Sequence, residues 1–346
     1  MKTGCRQQYL RSVANEPERT LLFGSFFLMG RKAEMTERAF VLGHPVGHSK
    51  SPAMHNAVYQ ACGLDWEYEL ADCATADEAR AFLEQGDWRV LNVTMPYKPL
   101  ALAIADAPSA AAQIAGGANV LIRDRIGRAS ADVDAAGRVF ADNTDAAGRV
   151  FADNTDGAGC VSYLERCGAR VRNARAVICG TGPTAVSIMH ACACAGAASI
   201  ALLSRSAEKA ADALARYAKA LASCGSNASV SGRMEALSYE EAAGAIDAAD
   251  IIIDATPLGM KPADPAPFDT ALLHENQVVL DVVYGHGETA LVHDARAAGC
   301  RAFDGAGMLV GQAVETLRDM EKALDDFELP SGFDAFAIMA AAAGFE

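Results

Sequence analysis

Ala176-Val-Ile-Cys-Gly180-Thr-Gly-Pro-Thr-Ala185 is the most informative decapeptide in this 346-residue chain. Four apolar residues with a strand's character run straight into a turn spaced GxGxxA. An apolar stretch through Ile188, Met189 and Cys192 then continues at helical spacing. Strand, glycine turn and helix in that order are the context that gives the motif a mechanism. Gly180 makes the tight turn, Gly182 lets the backbone approach a pyrophosphate, and Ala185 permits close packing of helix on strand. The free N–H groups of the turn, together with the helix dipole, favour phosphate oxygens. Pro183 suits the first helical turn, where its missing N–H costs nothing. The stretch is expected to bind a dinucleotide.

The following strand ends Leu202-Leu-Ser204-Arg205-Ser206. A site for NAD places an acid there to accept hydrogen bonds from the ribose hydroxyls, yet no carboxylate occurs before Glu208. A guanidinium pairs bidentately with a 2′-phosphate, so Arg205 points to NADP(H); the plainer reading is a solvated arginine after a strand.

Working outward, strand-like and helix-like stretches alternate from Arg38 onward, the pattern of an α/β protein with parallel sheets. Phe40–Leu42 and Val90–Val93 read as buried strands, and Met54, Val58 and Cys62 recur at helical spacing between them. Later strands are expected at Ala176–Cys179, Ser199–Leu203, Ile251–Asp254 and Val278–Val283, and a closing helix from Glu315 to Asp325. Four prolines between Pro257 and Pro267 break one connection into an extended loop. Two α/β domains follow, joined near Asp156: 36–155, completed by 306–346, and a doubly wound, Rossmann-type domain over 156–305. Residues 1–35 hold six Lys/Arg against three Glu and an apolar run too short to span a bilayer, and read as a loosely ordered extension.

A net charge of −14 argues against nucleic acid or an anionic membrane as partner, since both need a basic surface. With 51% hydrophobic and 21% charged residues the composition is that of a globular protein. The ten cysteines form no CxxC pair and read as reduced thiols of a cytoplasmic protein.

Two further stretches carry chemistry. Val41-Leu-Gly-His-Pro-Val-Gly-His48-Ser49-Lys-Ser51-Pro-Ala-Met-His55-Asn56 joins a strand to a helix, with Ser51 expected at the N-cap and Pro52 at the first helical position. Hydroxyls of Ser49 and Ser51 near a helix N-terminus can receive a carboxylate; Ser51 also reads as a plain capping serine. His48 and His55 lack a third ligand, so no metal is expected. Asn92-Val-Thr94-Met-Pro-Tyr-Lys98 ends a strand where side chains face a cleft. Lys98 there can exchange a proton, although a lone lysine is more often a surface charge.

Taken together, these stretches resemble the shikimate dehydrogenase family, whose motifs run in the same order: GxPxxHSxSPxxHN, NVTxPxK, an Asn on a following strand, DNTDG, a glycine-rich turn, and DGxGMLxxQ, here Asp304 to Gln312. The resemblance spans about Arg38 to Met320. It implies a substrate domain and an NADP-binding Rossmann domain, and hydride transfer between 3-dehydroshikimate and shikimate. Ser49, Ser51 and Tyr284 would hold the substrate carboxylate. Thr94, Asn119 and Gln312 would bind ring hydroxyls or brace the site. Lys98 and an aspartate of an NTD sequence would flank the reacting hydroxyl. Gly180, Thr181, Gly182, Pro183, Thr184, Ala185, Ser204, Arg205, Ser206 and Gly305 would border the cofactor. The expected assembly is a monomer or homodimer.

Departures from the pattern are Val120 after Asn119, Pro183 in the turn, Ser204-Arg-Ser206 and Asp254-Ala-Thr-Pro257. They remove no catalytic group but leave quinate open as a substrate, with relaxed cofactor use. A non-catalytic shikimate-sensing module is a further alternative, which the retained lysine and aspartate disfavour.

One feature lies outside any pattern: residues 134–155 carry DAAGRVFADNT twice in tandem, so that Asp145 and Asp156 both complete the letters ADNTD. Asp156 leads into Gly157-Ala-Gly159 and an apolar helical face, whereas Asp145 leads into the second copy. A strand pairing with Asn119–Ile122 can use only one copy, and lengthening a connection costs little closure entropy. Asp156 is therefore expected to act and Asp145 to stand by.

Overall fold

The computed structural model describes residues 36–124, 149–224 and 233–345. Its elements in chain order begin β1 (Glu37–Gly43), α1 (Ser51–Cys62), β2 (Trp66–Asp72), α2 (Ala76–Gln85), β3 (Val90–Val93), α3 (Lys98–Ala103), β4 (Ala107–Pro108) and α4 (Ala110–Ala115). There follow β5 (Val120–Asp124), β6 (Arg149–Asp153), α5 (Asp156–Arg166), β7 (Arg175–Cys179), α6 (Pro183–Cys194), β8 (Ser199–Ser204), α7 (Ala207–Ser223) and β9 (Arg233–Ser238). The last are α8 (Ala243–Asp247), β10 (Ile251–Asp254), β11 (Val278–Asp281), α9 (Ala290–Ala297), β12 (Arg301–Phe303), α10 (Ala306–Ala323) and α11 (Ala335–Ala343).

Among the described residues the strands form two six-stranded sheets. The second runs β12-β11-β10-β7-β8-β9 and is parallel throughout, with β7 at its centre. The chain winds from β7 to one edge and then from β10 to the other. The order reverses between β7 and β10, and ligands bind at such a switch point, outside the strands' carboxyl ends. The first sheet runs β2-β1-β3-β5-β6-β4 and is mixed: β5 is antiparallel to both β3 and β6.

Period-two alternation sends side chains to two covered faces. From β1, Ala39 and Val41 enter one core while Phe40 and Leu42 enter another; from β7, Ala176 and Ile178 oppose Val177 and Cys179 in the same way. Each fully buried Leu or Ile contributes roughly 1.5–3 kcal/mol relative to exposure.

Several expected boundaries move. Strand β11 ends at Asp281, because the Asp281 carboxylate accepts the Val283 N–H at 2.9 Å and turns the chain. The closing helix α10 starts at Ala306, well before Glu315, since Gly307 and Gly311 lie inside it as contact points. A Cβ on Gly311 would collide with the Gly159 carbonyl of α5, and one on Gly307 with the Tyr163 ring. Helix α11, an alanine-rich stretch capped by the Asp334 side chain and ended by Gly344, and the half-exposed edge strand β2 add to the expected elements.

The second copy of the repeat supplies β6, which pairs with β5 from Val120↔Asp153 to Asp124↔Arg149. The first copy and Asp145, like residues 1–35, lie outside the described residues.

Candidate active site

Two helix starts meet across the carboxyl ends of β3 and β6. Lys98 opens α3 and Asp156 opens α5; the lysine Nζ donates to Asp156 Oδ2 at 2.6 Å, with side-chain exposures of 21% and 12%. Asn119, just before β5, donates from Nδ2 to Asp156 Oδ1 at 2.8 Å and to Thr155 Oγ1 at 3.0 Å. Its Oδ1 accepts the Thr155 N–H at 2.8 Å. Both carboxylate oxygens thus have donors, one of them charged, and such bonds are the stronger kind. Gln312 of α10 completes the group, its Oε1 accepting from Asn119 at 3.5 Å. What brings Gln312 so near is the contact of Gly159 with Gly311 and Gln312, which leaves no room for a side chain.

Thr94 follows β3, half-buried, with its N–H donating to the Leu42 carbonyl at 2.8 Å; its methyl packs against Gly43, so the loops after β1 and β3 adjoin. Ser51 departs from expectation. The N-cap of α1 is Lys50 and Ser51 is the first helical residue, its N–H donating to Ser49 Oγ at 3.3 Å. The buried Ser51 hydroxyl lies within hydrogen-bond reach of Tyr68, whose hydroxyl donates to Asn92 Oδ1 at 2.8 Å. Asn92 Nδ2 in turn donates to Thr316 Oγ1 at 3.0 Å, tying the serine loop to α10. Tyr284, after β11, is 37% exposed and packs edge-on against Phe345. No hydrogen bond among the described residues joins it to Ser49 or Ser51.

The two histidines separate. His48 is exposed, while His55 is buried and stacked on Tyr68 at 4.4 Å, its pKa pushed down to about 3 by burial. No group of three metal-ligating side chains occurs among the described residues.

At the second sheet's switch point Gly180 has φ +108°, and a Cβ there would sit 3.0 Å from the Ala255 carbonyl, so glycine is required twice over. Gly182 is the N-cap of α6 and faces open space, with Pro183 first in the helix. Helix α6 has no side-chain cap, which leaves the N–H groups of Thr184 and Ala185 for an external acceptor, since the Val186 N–H already donates to the Gly182 carbonyl at 3.0 Å, and Thr181 is half-buried beside them. This turn fits a dinucleotide pyrophosphate. Ser204 is buried at the end of β8, Arg205 is exposed, and Ser206 caps α7 by accepting the Lys209 N–H at 3.4 Å. Gly305 passes so close to the Val282 carbonyl that no Cβ would fit.

Four polar residues that brace the loops and helices of the site receive no role from the sequence. Tyr68 and Thr316 bond across the fold, and Asn154 and Ser187 bond to each other at 2.9 Å. Only Asn154 lies within a quoted motif, so it alone is within reach of sequence reasoning.

The chain has known relatives. Residues 41–121 match the family described as "Shikimate dehydrogenase substrate binding domain". A shikimate dehydrogenase (NADP(+)) of Caulobacter vibrioides is 35% identical over 279 residues, 80% of this chain and 86% of that protein. The crystal structure of shikimate 5-dehydrogenase from Thermus thermophilus, in complex with NADP(H) and shikimate, is 25% identical. It superposes with a TM-score of 0.68 over 89% of this chain and 98% of that one. The ligand-free 5-ketofructose reductase of a Gluconobacter species is likewise 25% identical, with a TM-score of 0.67 over 89% and 98%.

Proposed function

The chain belongs to the shikimate dehydrogenase family, and we propose that Lys98 and Asp156 carry out its proton chemistry. It is an NADP-dependent oxidoreductase that interconverts 3-dehydroshikimate and shikimate, a step of aromatic amino-acid biosynthesis. The bound cofactor supplies or accepts a hydride. As the ring carbonyl of 3-dehydroshikimate takes on that hydride, its oxygen gains negative charge and needs a proton. The Lys98 ammonium stabilises the charge and delivers the proton; in the reverse direction the proton returns to Lys98. Asp156, held by Asn119, keeps the ammonium aimed at the reacting oxygen. The observation that carries this reading is the 2.6 Å Lys98–Asp156 pair, with Asn119 on the other carboxylate oxygen.

Ser49 and Ser51 are assigned to the substrate carboxylate, with Tyr284 closing over it from the second sheet. Thr94 and Gln312 take ring hydroxyls. On this reading the first sheet with α10 and α11 is the substrate domain and the second sheet the cofactor domain. The Gly180–Ala185 turn holds the pyrophosphate and Arg205 the 2′-phosphate, flanked by Ser204 and Ser206, with Gly305 bordering the cofactor. The enzyme is assigned to the cytoplasm as a monomer or homodimer, which sedimentation would test. The deciding experiment is a spectrophotometric assay of shikimate, quinate and 5-ketofructose, each with NADP and NAD in its matching redox state. Shikimate with NADP is expected to give the highest kcat/KM; a higher value with another substrate would overturn the assignment.

A further inference from the structure

Helix α5 begins without a cap of its own. Thr155 stands at its N-cap position, but the threonine hydroxyl accepts from Asn119 and makes no bond to the helix. The first-turn amides are satisfied from elsewhere: the Asp156 N–H by Asn154 Oδ1 at 3.3 Å, and the Gly157 N–H by Ser187 Oγ at 3.0 Å. Ser187 belongs to α6, the helix that opens at the glycine turn. Its hydroxyl also donates to Asn154 Oδ1 at 2.9 Å, while Asn154 Nδ2 donates to the Gly117 carbonyl at 2.9 Å. Gly117 in turn lies against Lys98, where a Cβ would come within 3.0 Å of the lysine Cβ. Asn154 and Ser187 are almost fully buried, at 3% and 4% exposure. Helices α5 and α6 touch so closely here that a Cβ on Gly157 would collide with the Ser187 carbonyl.

We propose that Ser187 is a positioning residue for the reaction: its hydroxyl, delivered from α6, fixes the first turn of α5 and thereby the Asp156 carboxylate against Lys98. Ser187 bonds through its hydroxyl to Asn154 and to the Gly157 N–H, and to neither member of the reacting pair. It lines a cavity of about 480 Å³ together with Asp153, Asn154, His190, Glu315 and Arg318, and neither Lys98 nor Asp156 borders that space. Its influence therefore runs through Asn154 and the Gly157 amide. A helix whose first turn loses its anchor can pivot, and displacement of a catalytic group by about 1 Å costs on the order of 100-fold in rate. The inference rests on Asp156 acting in the reaction.

Ser187→Thr and Ser187→Val test it, because the two side chains share a shape and only threonine keeps the hydroxyl. The valine variant should lose about 10- to 100-fold in kcat, with KM for shikimate and for NADP within about two-fold. Threonine should stay within about three-fold of the parent. Ser187→Ala, which adds no atoms and cannot clash, should behave like valine and decides the matter if the larger side chains do not fold. Equal turnover for threonine and valine, or parental turnover for alanine, would overturn the proposal. Asp156→Asn measured alongside separates the two ideas. If Asp156→Asn is inactive while Ser187→Ala is normal, only the positioning role fails; if Asp156→Asn is active, the role of Asp156 fails with it.

Discussion

At the scale of single residues the site's chemistry lies in a few side chains whose loss should have distinct signatures. Lys98→Ala should lose about 10²–10⁴-fold in kcat, the usual size of a general acid–base contribution, with a much smaller change in substrate KM. Turnover near the parent's would take Lys98 out of the mechanism. Asp156→Asn should be nearly inactive and Asp145→Asn close to the parent, although both aspartates complete the same eleven letters. Damage at Asp145 instead would assign the site to the other copy. Arg205→Ala should raise the KM for NADP and leave NAD use nearly unchanged, since only NADP carries the 2′-phosphate; equal losses with both would reduce Arg205 to a surface charge. Lys98, Asn119, Asp156 and Gln312 are legible in the sequence because each sits in a short motif whose neighbours are glycine, proline or asparagine. Ser187 and Tyr68 are not, because their hydrogen bonds reach Gly157 and Asn92 across 30 and 24 residues of chain. No local spacing encodes those distances.

At the scale of elements, the four inner strands of the second sheet, β7, β8, β10 and β11, are legible because each is a short apolar run, whereas the edge strands β9 and β12 carry charged residues among the apolar ones and give no such run. The glycine turn announces the parallel winding. The start of α10 is not legible, because its first half is built around glycines, which read as loop until the helix they touch is known. The close passage of α5 and α10 at Gly159 and Gly311 makes a clear prediction. Gly311→Ala forces a methyl onto the Gly159 carbonyl, so it should destabilise the fold by about 1–3 kcal/mol, the usual cost of overpacking. It should also lower activity by pushing Gln312 away from Asn119. Thermal melts and kinetics on one preparation check both, and an unchanged melting temperature would mean that the helices slide apart freely. The tandem repeat belongs to this scale too. Deleting residues 134–144 leaves β5, β6 and Asp156 with their sequence intact, so the shortened protein should fold and turn over like the parent; an inactive or insoluble product would give the first copy a role of its own.

At the scale of the whole molecule, two buried titratable groups, one in each sheet's surroundings, make stability depend on pH in opposite senses. Asp254, at the end of β10 and in register with Asp281 on β11, is pushed up to about 7 by burial and by the neighbouring carboxyl. Its contribution to stability is therefore present below the ordinary value of 3.8 and is lost as pH rises through about 7. His55, pushed down to about 3 by burial, contributes above the ordinary 6.5 and loses that as pH falls toward 3. Replacing Asp254 with Asn should shift the melting temperature relative to the parent in a stabilising direction that grows between about pH 4 and about 7. His55→Phe should show a relative gain that grows as pH falls from 6.5. Differences that stay flat with pH would mean that these groups do not titrate on folding. The first sheet's core takes Val310, Leu317 and Met320 from α10, and Met339 from α11, whereas Met308, near the start of α10, belongs to the second sheet's core. The interiors are thus interleaved along the gene. A reading frame cut after codon 155 would give two polypeptides, the first lacking the helices that fill it and the second carrying apolar helices with nothing to cover. Fragment complementation is therefore no two-piece exercise. Chimeras between relatives need three pieces, with everything after codon 305 travelling with the amino-terminal part.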